Sequence, residues 1–408
     1  MPGLSSASLQ SNKNMTTVLV KRLPCLPWLR LCYSIVSSLA LLWAHASVWA
    51  SENQLIAPVQ RDDGWLVAHP VEAGFDKAAL ALLLQDLKDG TIPNTHAVLI
   101  QSGEQLIFEE YFDGDDEKMG SILSLIPVKQ AMSGERLHDI RSVTKSVTSI
   151  LLGIALGSDF ENAVSAPLST FFPQFELNSE IERVNLHHVL TMTAGFEWNE
   201  WYASGLRNDE VRMNFSKNPT QFLLEKPLIE APGEQWNYNG GLTEVVARII
   251  ESKSTQQLES YAVDNLFSPL EITEFEWYSP RRWGPMPSAA AGLRLKARDL
   301  AKIGALVLNK GKWNDTQVVP QEWIELSTMP HTSTLSSLGR EGDSYYYGYQ
   351  WWVRNFADEY TAITAVGNGG QRVFILPDHQ LAVTIFAGHY GRRDYSEQIL
   401  HRIMAAKD

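Results

Sequence analysis

Ser142 and Lys145 stand three residues apart in DIRSVTKSVTSILLGIAL, which runs from Asp139 to Leu156. Val143, Val147, Ile150, Leu151 and Ile154 recur at spacings of three and four, which predicts a helix with one apolar stripe. Residues three apart share a helix face, so hydroxyl and amine are neighbours. A serine hydroxyl is a poor nucleophile until a base takes its proton. An ordinary lysine is protonated at neutral pH, but burial and the positive end of a helix dipole both favour the neutral amine. The mouth of an apolar helix offers both conditions. A serine N–H at a helix start can also hold a developing oxyanion. S-x-x-K in this place therefore suits acyl transfer. The pattern occurs once in the chain. Alone it fits equally well a serine N-cap followed by a lysine reaching into solvent.

The surrounding elements must position this pair. A helix is expected over 76–88, capped by Asp76, carrying Leu80, Leu83, Leu84 and Leu87, and ended by Gly90. Strands follow at HAVLIQ and QLIFEEYF, joined by a turn at Ser102–Glu104. Residues 113–137 read as an irregular excursion. From Ser142 to about Tyr278 the chain reads as helical, including LHHVLTMTAGF stopped by Gly195, LTEVVARIIESK and LESYAVDNLF. A helix is expected over 297–308. Strands then follow at YYYGYQWWV, QRVFILP and LAVTIFAGHY, before a helix over 395–404. Strands early and late with helices between them predict an α/β chain of the α+β type. One antiparallel sheet is built from both ends of the chain and flanked by helices, with a helical lobe over about 141–285 inserted.

Composition narrows the function. The chain has 408 residues, enough for a large core, and 13 Trp, which suit either that core or an aromatic-lined pocket. With 34 basic against 47 acidic residues the net charge is −13, and no basic run appears in the body, which argues against nucleic acid as a partner. Residues 1–50 differ: they hold Lys13, Lys21, Arg22 and Arg30 but no acid. The apolar run from Leu31 ends in small residues at Ala46 and Ala50, either of which fits a cleavage site. Met15 offers an alternative start. The leader is expected to be a secretory signal, with the domain proper over 51–408. An uncleaved anchor is the alternative and the one route to a membrane. Both cysteines, Cys25 and Cys32, fall in this leader, so a domain from Ser51 has no disulfide, thiol nucleophile or Cys-ligated metal. An exported, cysteine-free domain suits the bacterial periplasm.

Other chemistries lack their residues. There is no G-x-S-x-G elbow and no H-E-x-x-H. His187 and His188 are adjacent, so on a helix they diverge rather than share a metal. GNGGQR, 367–372, lacks the last glycine of a dinucleotide fingerprint.

Taken together, several stretches resemble the penicillin-recognising serine hydrolases: class C β-lactamases, DD-peptidases, related esterases and the 6-aminohexanoate-dimer hydrolases. The resemblance covers most of residues 65–400. IRSVTKSVTS is similar to the family's nucleophile helix, LTMTAGFEW to the turn after it, and PGEQWNYNGG to the segment bearing a catalytic tyrosine. AAGLRLKARDLAKIGALVLNKGKW resembles the long helix after the lobe. YGYQWWV and GNGGQRVFILP resemble the late strands.

The resemblance implies Ser142 as nucleophile and Lys145 with Tyr238 as general base and acid, with no metal or organic cofactor. A lysine ammonium nearby would lower the Tyr238 pKa and let a phenolate relay protons. The family's Y-x-N reads Tyr238-Asn239-Gly240 here, which leaves Asn239 one place early. The family's K-T-G lysine is missing from 365–371. The best register puts Gly367 at the motif glycine and Asn368 beside it, supplying with Ser142 the backbone donors of an oxyanion hole. A slip of one to three places, or a plain turn, fits as well. Arg372 either substitutes for the lysine charge or points away. The loop FEWNEWY offers Trp198, Trp201 and Tyr202 as walls of a substrate pocket. The expected activity is hydrolysis of a small-molecule ester or amide. The alternatives are β-lactamase or DD-peptidase chemistry and a catalytically silent binding protein on the same scaffold.

Overall fold

The computed structural model describes residues 55–407 apart from 121–127, 174, 176–178, 335–341 and 358. Residues 1–54, where the leader is expected, lie outside the described residues. Among the described residues, nine strands form one sheet: β1 (Leu66–Val67), β2 (Thr95–Ser102), β3 (Gln105–Tyr111), β4 (Thr332–Ser333), β5 (Ser344–Tyr347), β6 (Trp352–Phe356), β7 (Tyr360–Gly367), β8 (Gln371–Leu376) and β9 (Leu381–Ala387). Their order across the sheet is β1-β3-β2-β9-β8-β7-β6-β5-β4. The two ends of the chain meet where β9 pairs with β2, Val383 opposite Ile100. Pairing is antiparallel except for β1 against β3, so the sheet is mixed at one edge rather than wholly antiparallel. The strand pattern of β7, YTAITAVG, is absent from the expected elements because its alternation is blurred by small residues on both faces.

Both faces of the sheet are covered. Helix α1 (Lys77–Lys88) is capped as expected by Asp76, whose carboxylate accepts from the Ala79 N–H at 2.6 Å. It packs with the C-terminal helix, Ser396–Ala405, on one face, where Val98, Ile100, Phe374 and Val383 meet Leu80, Leu84, Ile399 and Ile403. The alternate residues Ala97 and Leu99 point to the other face and the larger core. That core also holds α2 (Val143–Leu156), α3 (Gly240–Ser254) and α4 (Ala297–Leu308).

Helix α2 is buried on almost every side, not along one stripe. Most of its buried polar residues have partners; the Ser149 hydroxyl has none. Ser146 Oγ donates to the Gln350 carbonyl at 2.8 Å, and Thr148 Oγ1 to the Ala289 carbonyl at 2.9 Å. The periodicity thus marked the apolar half of a helix whose other half is buried largely through hydrogen bonds. The segment LHHVL forms a helix over Leu186–Leu190 that ends well before Gly195, with Asn185 and His188 making a capping box.

Candidate active site

Ser142 occupies the N-cap of α2, but its side chain caps nothing. The backbone before it explains why the hydroxyl is displayed. Arg141 has φ 51°, a left-handed conformation that is costly for a non-glycine residue. Its guanidinium is tied down by the Glu117 carbonyl at 2.6 Å and lies 4.7 Å from the ring centre of Tyr390. The Ser142 hydroxyl is therefore free for Lys145, whose Nζ lies 3.2 Å from Oγ and donates to the Ala290 carbonyl at 3.0 Å. Lys145 is fully buried, not directed into solvent.

Tyr238 completes the cluster. It lines the same cleft as Ser142, and Lys145 Nζ lies 4.8 Å from its ring centre. Its phenol pKa is pushed well above the ordinary value, first by burial and then by the charge of Glu200. This reverses the expectation of a lowered pKa. Burial penalises the phenolate more than neighbouring cations favour it. Asn239 turns away from the cluster: its side chain accepts from the Leu242 N–H at 3.3 Å and caps α3.

Ser142 and Tyr238 open into a cleft of about 600 Å³. Gly367 and Asn368 line it where β7 turns into β8, through Gly369 and Gly370, both at positive φ. The expected turn and the expected cleft wall are thus the same structure. Gly367 is required by close approach, since a Cβ there would lie 2.4 Å from the Ile140 carbonyl oxygen. Arg372 lines the cleft too, but it is committed to the Gly367 and Gln371 carbonyls, each at 2.8 Å, and to Asp394.

Of the aromatic candidates, only Trp201 lines the main cleft. It stacks on Tyr238, with ring centres 5.1 Å apart, and lies nearly parallel to Trp352 at 6.1 Å. Trp198 is buried and Tyr202 is exposed. Both border a smaller recess of about 260 Å³ behind Trp201 instead. Trp198 serves as a support: its Nε1–H donates to Glu200 at 2.9 Å, and Glu200 also receives the Gly240 N–H at 2.8 Å.

Glu200, Glu210 and Trp352 are cleft residues absent from the sequence expectations. Glu200 lies inside FEWNEWY and was within reach of that reasoning. Glu210 carries no local signal; the fold brings it back to the cleft. Burial, then repulsion from Glu200, pushes the Glu210 carboxyl up to about 7. Behind Lys145, buried Glu244 accepts from the Ala290 N–H at 3.1 Å and from Ser288 Oγ at 3.2 Å. Burial pushes its carboxyl up to about 7 as well.

Comparison with known proteins places this geometry. A family profile described as Beta-lactamase matches residues 81–404. The chain belongs to the Beta-lactamase family. It has this family's fold, a large mixed sheet flanked by helices, and the family's members are hydrolases. It is similar to the 6-aminohexanoate-dimer hydrolase of Paenarthrobacter ureafaciens, 24% identical over 352 residues and 82% of each chain. It is also 21% identical over 193 residues to Protein flp of Staphylococcus aureus (strain MW2). That match covers 47% of this chain and 36% of flp, so the chain spans about a third of that relative's length. Among solved structures, a Bacillus anthracis protein titled as a candidate 6-aminohexanoate-dimer hydrolase superposes with TM-score 0.63 at 19% identity, covering 86% of each chain. EstCE1, titled a hydrolase with promiscuous acyltransferase activity, superposes with TM-score 0.62 at 16% identity, covering 80% of this chain and 97% of its own. These structural likenesses carry the fold.

Proposed function

We propose that this Beta-lactamase family member is a serine hydrolase that cleaves ester or amide bonds through an acyl-enzyme on Ser142. The observation that carries the proposal is the 3.2 Å approach of Lys145 Nζ to a serine hydroxyl that caps nothing and opens into the same cleft as Tyr238. Ser142 Oγ attacks the substrate carbonyl carbon while its proton passes to Lys145. Tyr238, held as a neutral phenol, donates to the departing alcohol or amine and is reprotonated through Lys145. The backbone N–H groups of Ser142 and Asn368 hold the tetrahedral oxyanion. Water then attacks the acyl carbon by the reverse relay, releasing the acid and restoring Ser142.

The cleft wall supports substrates that lack a recognised carboxylate. There is no lysine at 365–371, and Arg372, on the strand that follows, is already paired with Asp394, which leaves the exposed Arg392 as the other arginine lining the cleft. The likeness to proteins named 6-aminohexanoate-dimer hydrolases supports linear amides beside short esters as substrates.

The test is hydrolysis of p-nitrophenyl butyrate by the purified protein and by Ser142→Ala. Turnover by the wild type and its loss in the variant support the proposal. Equal turnover by both contradicts it.

A further inference from the structure

His96, Asp116 and His138 lie together in the interior, drawn from β2, from the short strand Gly114–Asp116 and from the short strand His138–Asp139. One ligand atom from each falls within 4.8 Å of the others. They are far apart in sequence, and no spacing motif announces them. The proposed hydrolysis makes no use of them.

The hydrogen-bond network fixes which ring nitrogens carry protons. His138 Nδ1 lies 3.0 Å from the Asp139 carbonyl oxygen, which only accepts, so Nδ1 carries a hydrogen. His96 Nε2 lies 3.4 Å from Asn94 Oδ1. That amide cannot be reversed: its Nδ2 donates to the Asp115 carbonyl at 3.0 Å and the Gly388 carbonyl at 2.7 Å, and Oδ1 accepts the Asp115 N–H at 2.6 Å. His96 Nε2 therefore also faces an acceptor, which favours the tautomer with its hydrogen there. The two inner nitrogens, His96 Nδ1 and His138 Nε2, then confront each other with lone pairs at 2.8 Å. Asp116 Oδ1 adds a carboxylate oxygen 3.5 Å from His138 Nε2. Three electron-pair donors thus lie within 4.8 Å of one another, a repulsion that a cation among them would relieve.

We propose that His96, Asp116 and His138 form a structural site for a first-row divalent cation, with zinc the best match to a His₂-carboxylate donor set. The outer nitrogens are already oriented by oxygen acceptors, the arrangement that holds metal-ligating histidines in place elsewhere. Asp116 Oδ1 also accepts the Glu117 N–H at 2.9 Å and meets Tyr390 Oη at 3.4 Å, while Arg136 approaches Oδ2 at 3.9 Å. The frame is tight: a Cβ at Gly114 would lie 2.6 Å from His96 Nε2, and one at Gly388 would lie 1.9 Å from the Asp115 carbonyl oxygen. The cation would pin together three segments that meet just ahead of Ser142. Tyr390 connects them to Arg141, whose strained backbone displays the nucleophile. The site would act on the fold and not on the substrate.

The test uses the full-length protein stripped with a chelator and dialysed. One equivalent of Co²⁺ should give the visible d–d bands of a low-coordinate site, and Zn²⁺ should abolish them. Zn²⁺ at a hundredfold excess over its Kd should raise the melting temperature by roughly 3 °C. Asp116→Asn and His96→Gln should weaken Co²⁺ binding at least tenfold. A proton shared between the imidazoles would fill the same gap. In that case wild-type protein gives no d–d bands and no thermal shift, and the proposal fails. It fails equally if both variants bind Co²⁺ as the wild type does, because the metal is then held elsewhere. The Co²⁺ spectrum of the wild type decides the matter even where a variant does not fold.

Discussion

Lys145 Nζ donates to the carbonyl of Ala290 at 3.0 Å, and the N–H of that same residue is gripped by the buried carboxyl of Glu244 at 3.1 Å. The amine is thus placed by a loop that a third residue holds from behind. Glu244→Ala removes the grip and leaves the Ala290 N–H and Ser288 hydroxyl unsatisfied in the interior. It should lower kcat by tenfold or more through misplacement of Lys145, at a cost of about 1–3 kcal/mol in stability. Glu244→Gln keeps an acceptor and should retain most activity. Steady-state kinetics and urea unfolding of both variants check this.

The same carboxyl makes stability depend on pH. Its pKa is near 4.5 unfolded and about 7 folded, so the folded state binds the proton more tightly. Its contribution is fully present below pH 4.5 and is lost as pH rises to about 7 and beyond. That loss is worth about 3 kcal/mol at most. Glu244→Gln should therefore unfold at higher urea than the wild type at pH 8. The gap should close as pH falls toward 5.

Tyr238→Phe keeps the ring stacked against Trp201 and removes only the hydroxyl. A drop in kcat of about 10²-fold or more is expected, with KM little changed, because in the proposed relay the lost group moves a proton and does not bind the ground state. The raised phenol pKa adds that wild-type kcat shows no alkaline limb from Tyr238 below pH 10. A pH–rate profile checks this.

Glu210 titrates near pH 7 in a cleft that also holds Glu200. Below that pH it is a neutral acid; above it, a second negative charge faces the substrate. Substrates carrying a positive charge should gain in kcat/KM as pH rises through about 7, and anionic ones should lose. Glu210→Gln should remove that inflection from both profiles.

Trp201 is 41% exposed, yet its ring stacks on Tyr238. Trp201→Ala should raise KM for aromatic or alkyl esters roughly tenfold and leave unfolding within about 1 kcal/mol of the wild type.

Much of this was legible in the sequence, and the failures have physical causes. The capped helix α1 and the early hairpin follow from local pattern, because each element's own residues determine it, and the junction of both chain ends in one sheet follows from the order of strands and helices along the chain. Ser142 and Lys145 were visible because one helical turn joins them, and Tyr238 because its flanking segment resembles a family motif. Asn239 was misplaced because a helix cap competes for the same side chain. Trp198 and Trp201 look alike in FEWNEWY, yet one packs inward and one faces the cleft. Glu210, Glu244 and the His96–Asp116–His138 group were invisible because only the tertiary fold brings each to its partners.

The central claim is that Ser142 carries the acyl group. The most direct measurement is intact-mass and peptide mapping of the protein after reaction with a fluorophosphonate, beside Ser142→Ala. The account predicts one adduct per chain, mapped to Ser142, with ester hydrolysis lost in step with labelling and no adduct on the variant. Labelling at another residue, or full esterase activity in a protein whose Ser142 is blocked, would contradict it.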